Sequence, residues 1–318
     1  MNSRHIKANF MKAFQTCNFP AMRAALLMAS QKNTLAVWAL LVGCWYGNIH
    51  IVTWLIHHTS IRVINGSGRK KVPKYFFHDI PFDDGLQVYQ KGTLHFTPLT
   101  CSICRAWPDL VALLLTIPGI NVNIGSPDTG PPLHCAVQRV YAVEHADQAI
   151  IVKLLLEAKD IAVNAYDAHG RTALHIAVAM PTVVLEALLH HPNINVNVRD
   201  LHDNTPLHFA TDRRTSISPQ QRHAIIELLL TVKDININVL NKSGSAPLHN
   251  IFSGEGFLWK TVQLLLAHRD CKTGIQDRDG NTILHYAVKA SCSWLHWAVQ
   301  ESYCWHVQKA LENTTVLV

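Results

Sequence analysis

Apolar residues recur along the chain in runs of helical length, and each run leads into a short stretch in which apolar and polar residues alternate. The length of the runs favours α-helices, whereas alternation favours an extended segment. The turns that follow, such as the one at 167–170, supply residues that tolerate tight backbone angles. The repeating unit is therefore predicted to be helix, turn, helix and projecting hairpin. The runs are 109–115, 149–156, 183–189, 224–230 and 261–266, and the alternating stretches are 120–123, 161–164, 194–197 and 235–238.

A four-residue phrase of the type Thr-Pro-Leu-His precedes each apolar run. Its threonine is a good N-cap, since the hydroxyl accepts one of the unpaired amide hydrogens at a helix start. Proline at the next position lacks that hydrogen and already has a helical φ. The phrase therefore predicts the start of a first helix in each unit. Its leucines are Leu99, Leu133, Leu174, Leu207, Leu248 and Leu284, separated by 34, 41, 33, 41 and 36 positions.

The phrase is best preserved as TALHIA at 172–177 and TPLHFA at 205–210. These copies are similar to the T-P-L-H-x-A signature of ankyrin repeats, whose period is 33 residues. The resemblance implies an all-α ankyrin-repeat solenoid of stacked helix-turn-helix units with projecting β-hairpin loops. It also implies that the histidines of the phrase hydrogen-bond to backbone groups in neighbouring turns and have no catalytic role. These histidines are His134, His175, His208, His249 and His285.

The repeats divide the chain into four regions. Residues 1–58 are predicted to form two degenerate repeats, and 97–311 to form six repeats, including a C-terminal capping repeat, before a tail at 312–318. Terminal repeats are expected to be atypical because one side faces water. No repeat is visible in 59–96, which is interpreted as an irregular insertion that is either a binding element or an inert spacer.

The two steps of 41 residues have a common origin. In each, eight additional residues fall between the first and the second helix, near 141–148 and 211–221. Both loops are therefore expected to emerge from the same edge of the array. Loops carry function disproportionately often, so a binding role and neutral drift in a surface turn both stay open.

The stretch at 34–56 contains no Lys, Arg, Asp or Glu and is long enough for about 20 residues of helix across a bilayer. Its centre contains Gly47, Asn48 and His50, which favour a turn between two antiparallel helices. A buried helical hairpin is the preferred prediction, and a membrane anchor is the alternative. The first twenty residues lack the apolar core and cleavage site of a secretory signal.

Composition narrows the functional classes. A hydrophobic content of 48% and a charged content of 16% indicate a folded chain. The net charge is +6, and the cations are not gathered into blocks apart from Arg69, Lys70, Lys71 and Lys74. This cluster is interpreted as a solvated loop, with a nucleic-acid patch or an import signal as the alternative. Neither nucleic acid nor a membrane is predicted as a partner. The eight cysteines are scattered, mostly in apolar helical stretches, and indicate a reducing compartment.

Cys101 and Cys104 are the one local set of residues of metal-ligand type. No second Cys or His pair follows at the spacing of a zinc finger, and Cys101 aligns with Cys135 inside a predicted first helix. A core position is preferred, with a metal or redox site as the alternative. Phosphate-binding, nucleophile-elbow, metalloprotease and kinase motifs are absent from the sequence. The chain is predicted not to be an enzyme and to need no cofactor.

The ankyrin resemblance implies a protein partner that binds the hairpin tips and the inner face of the first helices. The chain is predicted to be a monomeric scaffold or adaptor in the cytoplasm. Its eroded repeats, rich in Cys, His and Trp, resemble those of ankyrin-repeat effectors that intracellular bacteria deliver into host cells, which would place it in the host cytosol. The predicted partner-binding residues are Arg139, Ala168, His169, Arg171, Leu201, His202, Asn204, Arg213, Lys242, Ser243, Arg278, Asp279 and Lys289.

Overall fold

A computed structural model describes residues 3–28, 32–58, 65, 96–125, 130–138, 145–212, 215, 217–251, 258–283, 285 and 286. The chain divides into two compact units, Met1–Ala168 and His169–Val318, called the first unit and the second unit below. Each unit has its own set of helical pairs and its own core.

In the first unit the described helices form four pairs, each joined by a short turn or loop. From the second pair onward, first helices of consecutive pairs pack against each other, and so do second helices. The first pair contacts Lys32–Trp45 through its second helix and through the Phe10 ring, which lies edge-on to Trp38. The pairs therefore stack as the repeat pattern predicts. The helices are Ser3–Gln15 with Phe19–Met28, Lys32–Trp45 with Ile49–His58, Pro98–Cys104 with Pro108–Leu115, and Pro132–Val137 with His145–Leu156.

In the second unit three further pairs stack in the same way. The prediction of an all-helical fold is confirmed for the described residues. Their connecting loops contain turns and no β-strand, so the projecting hairpins are tight turns instead of strand pairs. The helices are Ala173–Ala177 with Thr182–Leu189, Pro206–Thr211 with Pro219–Leu230, and Pro247–Asn250 with Trp259–Leu266.

The core of each unit lies between consecutive pairs. The leucine of the repeated phrase is buried in every described copy, with Leu174 and Leu207 at most 1% exposed. Second helices bury residues one turn apart, such as Leu185 and Leu188, because positions three or four apart share a helix face. Each such side chain contributes about 1.5–3 kcal/mol of gross burial. Stacking of consecutive pairs provides this burial. A single pair cannot, since it has no neighbour to cover its apolar side chains.

The turn between the two helices of the first three pairs uses a left-handed backbone. Gly47 has φ +68°, and an added Cβ would lie 2.7 Å from the Trp107 indole. Cys17 and Ala106 occupy the corresponding positions with φ of 49° and 53°, although neither is glycine. A residue with a Cβ is strained in this region by about 1–2 kcal/mol.

Replacing Cys17 with glycine is therefore expected to stabilise the protein by about 0.5–1 kcal/mol, because Cys17 is exposed and its side chain contributes little packing. Gly47→Ala is the opposing control and should destabilise it, since the new Cβ would collide with Trp107. Urea unfolding followed by circular dichroism measures both. A Cys17→Gly variant that is less stable than the native protein would contradict the strain at this turn.

The apolar stretch at 34–56 is divided between two helices. Lys32–Trp45 and Ile49–His58 contact each other across a turn at 46–48, and the Asn48 Oδ1 caps the second helix by accepting from the Ile51 amide at 3.0 Å. The predicted helical hairpin is confirmed. No helix in the described part of the chain has the length and hydropathy that a bilayer crossing requires.

After four of the described second helices, an asparagine links its loop to the next one. Its Nδ2 donates to a carbonyl of the following loop and its Oδ1 accepts from an amide two residues further on, at N···O distances of 2.6–3.0 Å. These bonds join consecutive repeats at the edge remote from the turns within the pairs. The asparagines that form both bonds are Asn65, Asn123, Asn197 and Asn238.

Asn65 locates the long insertion within its repeat. Because Asn65 bonds to Gly119 and Asn121 in the regular manner, the repeat contacts of the second pair continue into the segment predicted to be irregular, 59–96. Thr97 follows Asn65 by 32 positions, whereas Thr205 follows Asn197 by 8. The second pair nevertheless packs directly on the third. The additional positions therefore fall between Asn65 and Thr97 in the sequence, and 59–64 and 66–95 lie outside the described residues.

Candidate partner-binding edge

The histidine of the repeated phrase is held by three hydrogen bonds, as His208 shows. The Thr205 amide donates to its Nδ1 at 3.0 Å, and the Thr205 hydroxyl lies 2.9 Å from the same nitrogen. Because Nδ1 accepts from an amide, the ring proton is on Nε2, which donates to the Ser245 carbonyl of the next repeat at 3.0 Å. The ring must therefore be neutral to keep all of these bonds.

The same arrangement recurs at His175, and at His249 without the hydroxyl contact, because Ala246 replaces the threonine. His175 Nε2 donates to the Asn204 carbonyl at 3.0 Å, and His249 Nε2 to the Ile275 carbonyl at 3.2 Å. An aromatic ring of the next first helix packs edge-on against the histidine in both cases, Phe209 on His175 and Tyr286 on His249. These histidines bridge consecutive repeats, as the resemblance implied.

Electrostatics agree with a structural role for these rings. Burial lowers the pKa of His208 to about 4, although the Ser245 carbonyl favours the protonated ring and offsets part of that effect. Burial also lowers the pKa of His249. A general base needs a nitrogen free to reach a substrate. In His208 and His249 both nitrogens already have backbone partners, so neither ring is available for catalysis.

Each hairpin tip of the second unit is closed by one side chain. Asp200 Oδ1 accepts the amides of His202 and Asn204, both at 2.8 Å. Asn241 and Asp277 make the equivalent bonds in the next two hairpins, at 2.8–3.0 Å. This is the local side-chain turn that Asp and Asn form readily. It explains why the predicted hairpins need no strand pairing to hold their shape.

The last of these carboxylates has an additional donor. The Tyr286 hydroxyl donates to Asp277 Oδ2 at 2.6 Å. The phenol, followed by the backbone amides of the turn, lowers the pKa of Asp277 below its usual range. The Asp277 carboxylate in turn raises the pKa of Tyr286 to about 12. The final first helix is thereby fastened to the preceding hairpin.

Backbone hydrogen bonds place consecutive tips in register. The Leu201 amide donates to the His169 carbonyl at 3.3 Å, and the Lys242 amide to the His202 carbonyl at 2.9 Å. The Arg278 amide approaches the Ser243 carbonyl at 3.5 Å in the same way. The side chains of equivalent tip residues therefore project side by side along the second unit.

Most of the predicted contact residues that the structure describes have exposed side chains at the hairpin tips. We call the row formed by Leu201, His202, Lys242, Ser243, Arg278 and Asp279 the hairpin edge; all six are exposed, and Leu201 is 57% exposed. His169 is exposed at the start of the same unit, and Ala168 is exposed in the first unit. Arg139, Arg213 and Lys289 lie outside the described residues.

Two of the predicted contact residues are engaged within the fold. Arg171 and Asn204 are half-buried. The Asn204 amide group donates to Asp200 Oδ2 at 3.3 Å and accepts from Asn241 Nδ2 at 2.9 Å. Asn204 therefore joins two hairpins, and its side chain has little capacity left for a partner.

Sequence reasoning missed two exposed side chains beside this edge. Arg199 and Leu240 immediately precede the turn-closing Asp200 and Asn241, and both are exposed. Leu240 is 39% exposed despite being apolar. Both exposed positions could have been predicted from the alternating pattern, because successive side chains of an extended segment point to opposite sides. The residues before them, Val198 and Val239, are buried.

The two elongated repeats share a buried polar anchor that was also missed. In the second unit Arg222 is 3% exposed and donates to the carbonyls of Ala210 and Asp212 at 2.6 and 2.8 Å, where the first helix ends. It also donates to the Thr215 hydroxyl at 3.1 Å. The base of the longer loop is thus fixed by a side chain from the second helix.

The equivalent residue of the elongated repeat in the first unit is Gln148. Its Nε2 donates to the carbonyls of Ala136 and Val137 at 3.1 and 2.9 Å, again where the first helix ends. Aligning the two apolar runs, 149–156 and 223–230, would have placed Gln148 opposite Arg222. The predicted loop inserts therefore share one internal support, although residues 139–144 lie outside the described part.

Cys101 and Cys104 belong to the core of the first unit. The Cys101 thiol approaches the Leu41 carbonyl at 3.6 Å, and burial raises its pKa well above the usual value. A hydrogen bond with Cys135, together with burial, raises the pKa of Cys104. Thiols of this kind are poor nucleophiles and poor metal ligands. Among the described residues no group of three or more His, Cys, Asp or Glu side chains is arranged to hold a metal ion.

Comparison with known proteins indicates ankyrin repeats, as the geometry of the repeated phrase does. A family model described as "Ankyrin repeats (3 copies)" matches residues 108–200, 140–238 and 216–297, which together exceed half of the chain. No curated protein sequence matched the chain.

The solved structures that resemble this one include two ankyrin-repeat structures. The ankyrin repeat domain of Bcl-3, a member of the IkappaB protein family, is 27% identical with a TM-score of 0.50, covering 60% of this chain and 79% of that chain. The ankyrin repeat protein EF0377 is 20% identical with a TM-score of 0.51, covering 60% of this chain and 90% of that chain. From the matched residues and the bonding of its repeated phrase, the chain belongs to the ankyrin-repeat family.

Proposed function

We propose that the chain is a non-enzymatic scaffold that binds a protein partner through the hairpin edge and the adjoining Arg199 and Leu240. The observation that carries this proposal is the register of the hairpin tips. Backbone bonds between consecutive tips align Leu201, Lys242 and Arg278 in one exposed row. A row that is ordered before binding loses little conformational freedom on association, which favours affinity.

The chemistry of the row indicates the kind of surface it would bind. Leu201 and Leu240 present apolar side chains, and Arg199, Lys242 and Arg278 present cations beside them. Apolar contacts flanked by charged groups are the usual composition of a protein interface. A stable contact buries about 1,200–2,000 Å² in total, so a partner would have to cover several hairpins.

A binding role fits the rest of the molecule better than catalysis. Ankyrin repeats are generally protein-binding modules, and the family model accounts for most of the chain. The buried histidines and thiols serve packing and hydrogen bonding between repeats. No catalytic domain accompanies the repeats among the regions that match known proteins.

The compartment and the wider role belong to the same proposal. The described cysteines have free thiols, which fits a reducing compartment such as the cytoplasm. The eroded repeats support a role as a bacterial effector in a host cytosol. Fusion to a reporter that gains activity only in the host cytosol would test delivery during infection, and a reporter signal no higher than that of a non-secreted fusion would contradict it.

Replacing Leu201, Lys242 and Arg278 together with alanine is expected to weaken partner binding by about tenfold to a hundredfold, because it removes one apolar and two cationic contacts. These side chains are exposed, and the backbone bonds between tips are retained. Quantitative affinity capture from cells, followed by calorimetric titration of each captured partner against the purified variant, measures the effect.

A matched control removes the same chemistry from another surface of the second unit. Val183, Lys233 and Arg269 are one exposed apolar residue and two exposed cations near the second helices. Their triple alanine variant should bind as the native chain does. Equal affinity of both variants for every captured partner would show that the hairpin edge is not the binding surface.

A further inference from the structure

The acidic residues are unevenly distributed along the chain, although the cations are spread over its whole length. The first acidic residue is Asp79, although the overall content of 22 Asp and Glu in 318 residues would place about five in the first 78. The remaining 240 residues contain all 22 acids and 18 cations. The cations before Asp79 are Arg4, Lys7, Lys12, Arg23, Lys32, Arg62, Arg69, Lys70, Lys71 and Lys74.

The fold assigns the first part of this acid-free region to the first two helical pairs, 3–28 and 32–58, called the cationic pairs below. Lys12 and Arg23 lie on exposed positions of the first pair, while Phe10 and Met22 are completely buried. No carboxylate exists within the cationic pairs to neutralise these cations, because the sequence contains none there. The surface potential of the cationic pairs is therefore positive, and it attracts anionic groups.

The cationic pairs also expose apolar side chains. Leu27 is 60% exposed, Tyr46 is 41% exposed and Ile49 is 37% exposed. The Tyr46 ring packs against the Phe14 ring, with the ring centroids 6.0 Å apart. Tyr and Arg are among the residues that contribute most to protein interfaces.

We infer that the cationic pairs form a second binding surface, which takes an acidic protein segment that also carries apolar side chains. Carboxylates of such a segment would pair with Lys12 and Arg23, and its apolar side chains would cover Leu27, Tyr46 and Ile49. This surface goes beyond the proposed function, because it uses none of the residues of the hairpin edge.

A nucleic acid and a membrane fit the cationic pairs less well. The nucleic-acid backbone has one charge per about 1.7 Å of duplex and is matched by a dense stripe of cations. Lys12 and Arg23 lie on different helices, and the exposed Leu27 and Ile49 would have nothing to contact. A helix that lies in a membrane surface presents a continuous apolar face to the lipid. Here the apolar faces are buried within the protein, as Phe10 and Met22 show.

The test measures binding of fluorescein-labelled synthetic peptides to the full chain by fluorescence anisotropy at about 50 mM salt, where screening is weak. One peptide alternates Glu with Leu and Phe, and a second has Gln in place of every Glu. The variant Lys12→Glu/Arg23→Glu is expected to bind the acidic peptide at least about tenfold more weakly, because it replaces attraction with repulsion. The Gln peptide should bind the native chain more weakly than the Glu peptide.

The variant Lys153→Glu/Lys233→Glu is the matched control, since it changes the net charge equally at exposed sites outside the cationic pairs. It should change the affinity by less than about twofold. Leu27→Ala should weaken binding of the alternating peptide but should not weaken binding of poly-glutamate. Equal losses in the two charge-reversal variants would overturn the inference. The inference would also be overturned if a DNA duplex or phosphatidylserine vesicles bound more tightly than the acidic peptide and if that binding depended on Lys12 and Arg23 in the same way.

Discussion

Arg222→Ala is expected to lower the free energy of unfolding by about 3 kcal/mol, because it leaves buried carbonyls at the end of a first helix without their charged donor. Arg222 is 3% exposed and donates to Ala210, Asp212 and Thr215. Hydrogen bonds from a charged donor are stronger than those from a neutral one. The loop from 212 to 217 should lose its anchor at the same time. Urea unfolding followed by circular dichroism measures the change.

The first unit suggests the rescuing substitution. Gln148 occupies the equivalent position and makes two of the corresponding bonds with a neutral amide. Arg222→Gln should therefore recover about half of the loss. Gln220→Ala, at an exposed position of the same helix, is the control and should change the free energy by less than about 0.5 kcal/mol. An Arg222→Ala variant as stable as this control would show that the anchor contributes nothing.

The helices of each pair could be predicted from the sequence, whereas the buried anchor Arg222 could not. The first helices were predictable, because an N-cap threonine and a following proline act on the residues next to them. Second helices were predictable from their apolar runs. The anchor was not, because a polar residue at the start of an amphipathic helix normally faces solvent. Only superposing the two elongated repeats would have indicated a shared role.

The hairpins were predicted at the right places but with the wrong internal structure. The ankyrin resemblance implied β-hairpin loops, whereas Asp200, Asn241 and Asp277 close tight turns with their own side chains. Those side-chain bonds compete with strand pairing, and alternation of hydrophobicity carries no record of them. The same competition explains why Asn204, predicted as a contact residue, is occupied by Asp200 and Asn241.

The charge segregation was visible in the sequence from the outset, but the total conceals it. A net charge of +6 suggests a mildly basic protein, whereas the residues before Asp79 carry ten cations and no acid, and the rest of the chain carries 18 cations and 22 acids. The fold gives this pattern its meaning, because the acid-free residues form complete helical pairs with their own exposed faces. A charge total therefore says less about partners than the charge of each structural repeat.

Acid is expected to destabilise the second unit through His208. Its pKa of about 4 in the folded state is below the ordinary value of 6.5, so between these values the unfolded chain binds more protons. The contribution of the neutral ring is fully present above pH 6.5 and is lost as the pH falls to about 4. A shift of this size corresponds to about 3 kcal/mol. The lowered pKa of His249 acts in the same direction.

The variant His208→Gln separates this effect from other acid-sensitive groups. It should be less stable than the native chain at pH 7 by about 2 kcal/mol, since it loses the bonds to Thr205 and Ser245. Its stability should then fall less steeply between pH 6.5 and 4. The carboxylate of Asp277 does not interfere, because its lowered pKa places its loss below about pH 4. If urea unfolding at pH 7 and pH 4.5 shows equal losses for the variant and the native chain, another group must be the source of the acid sensitivity.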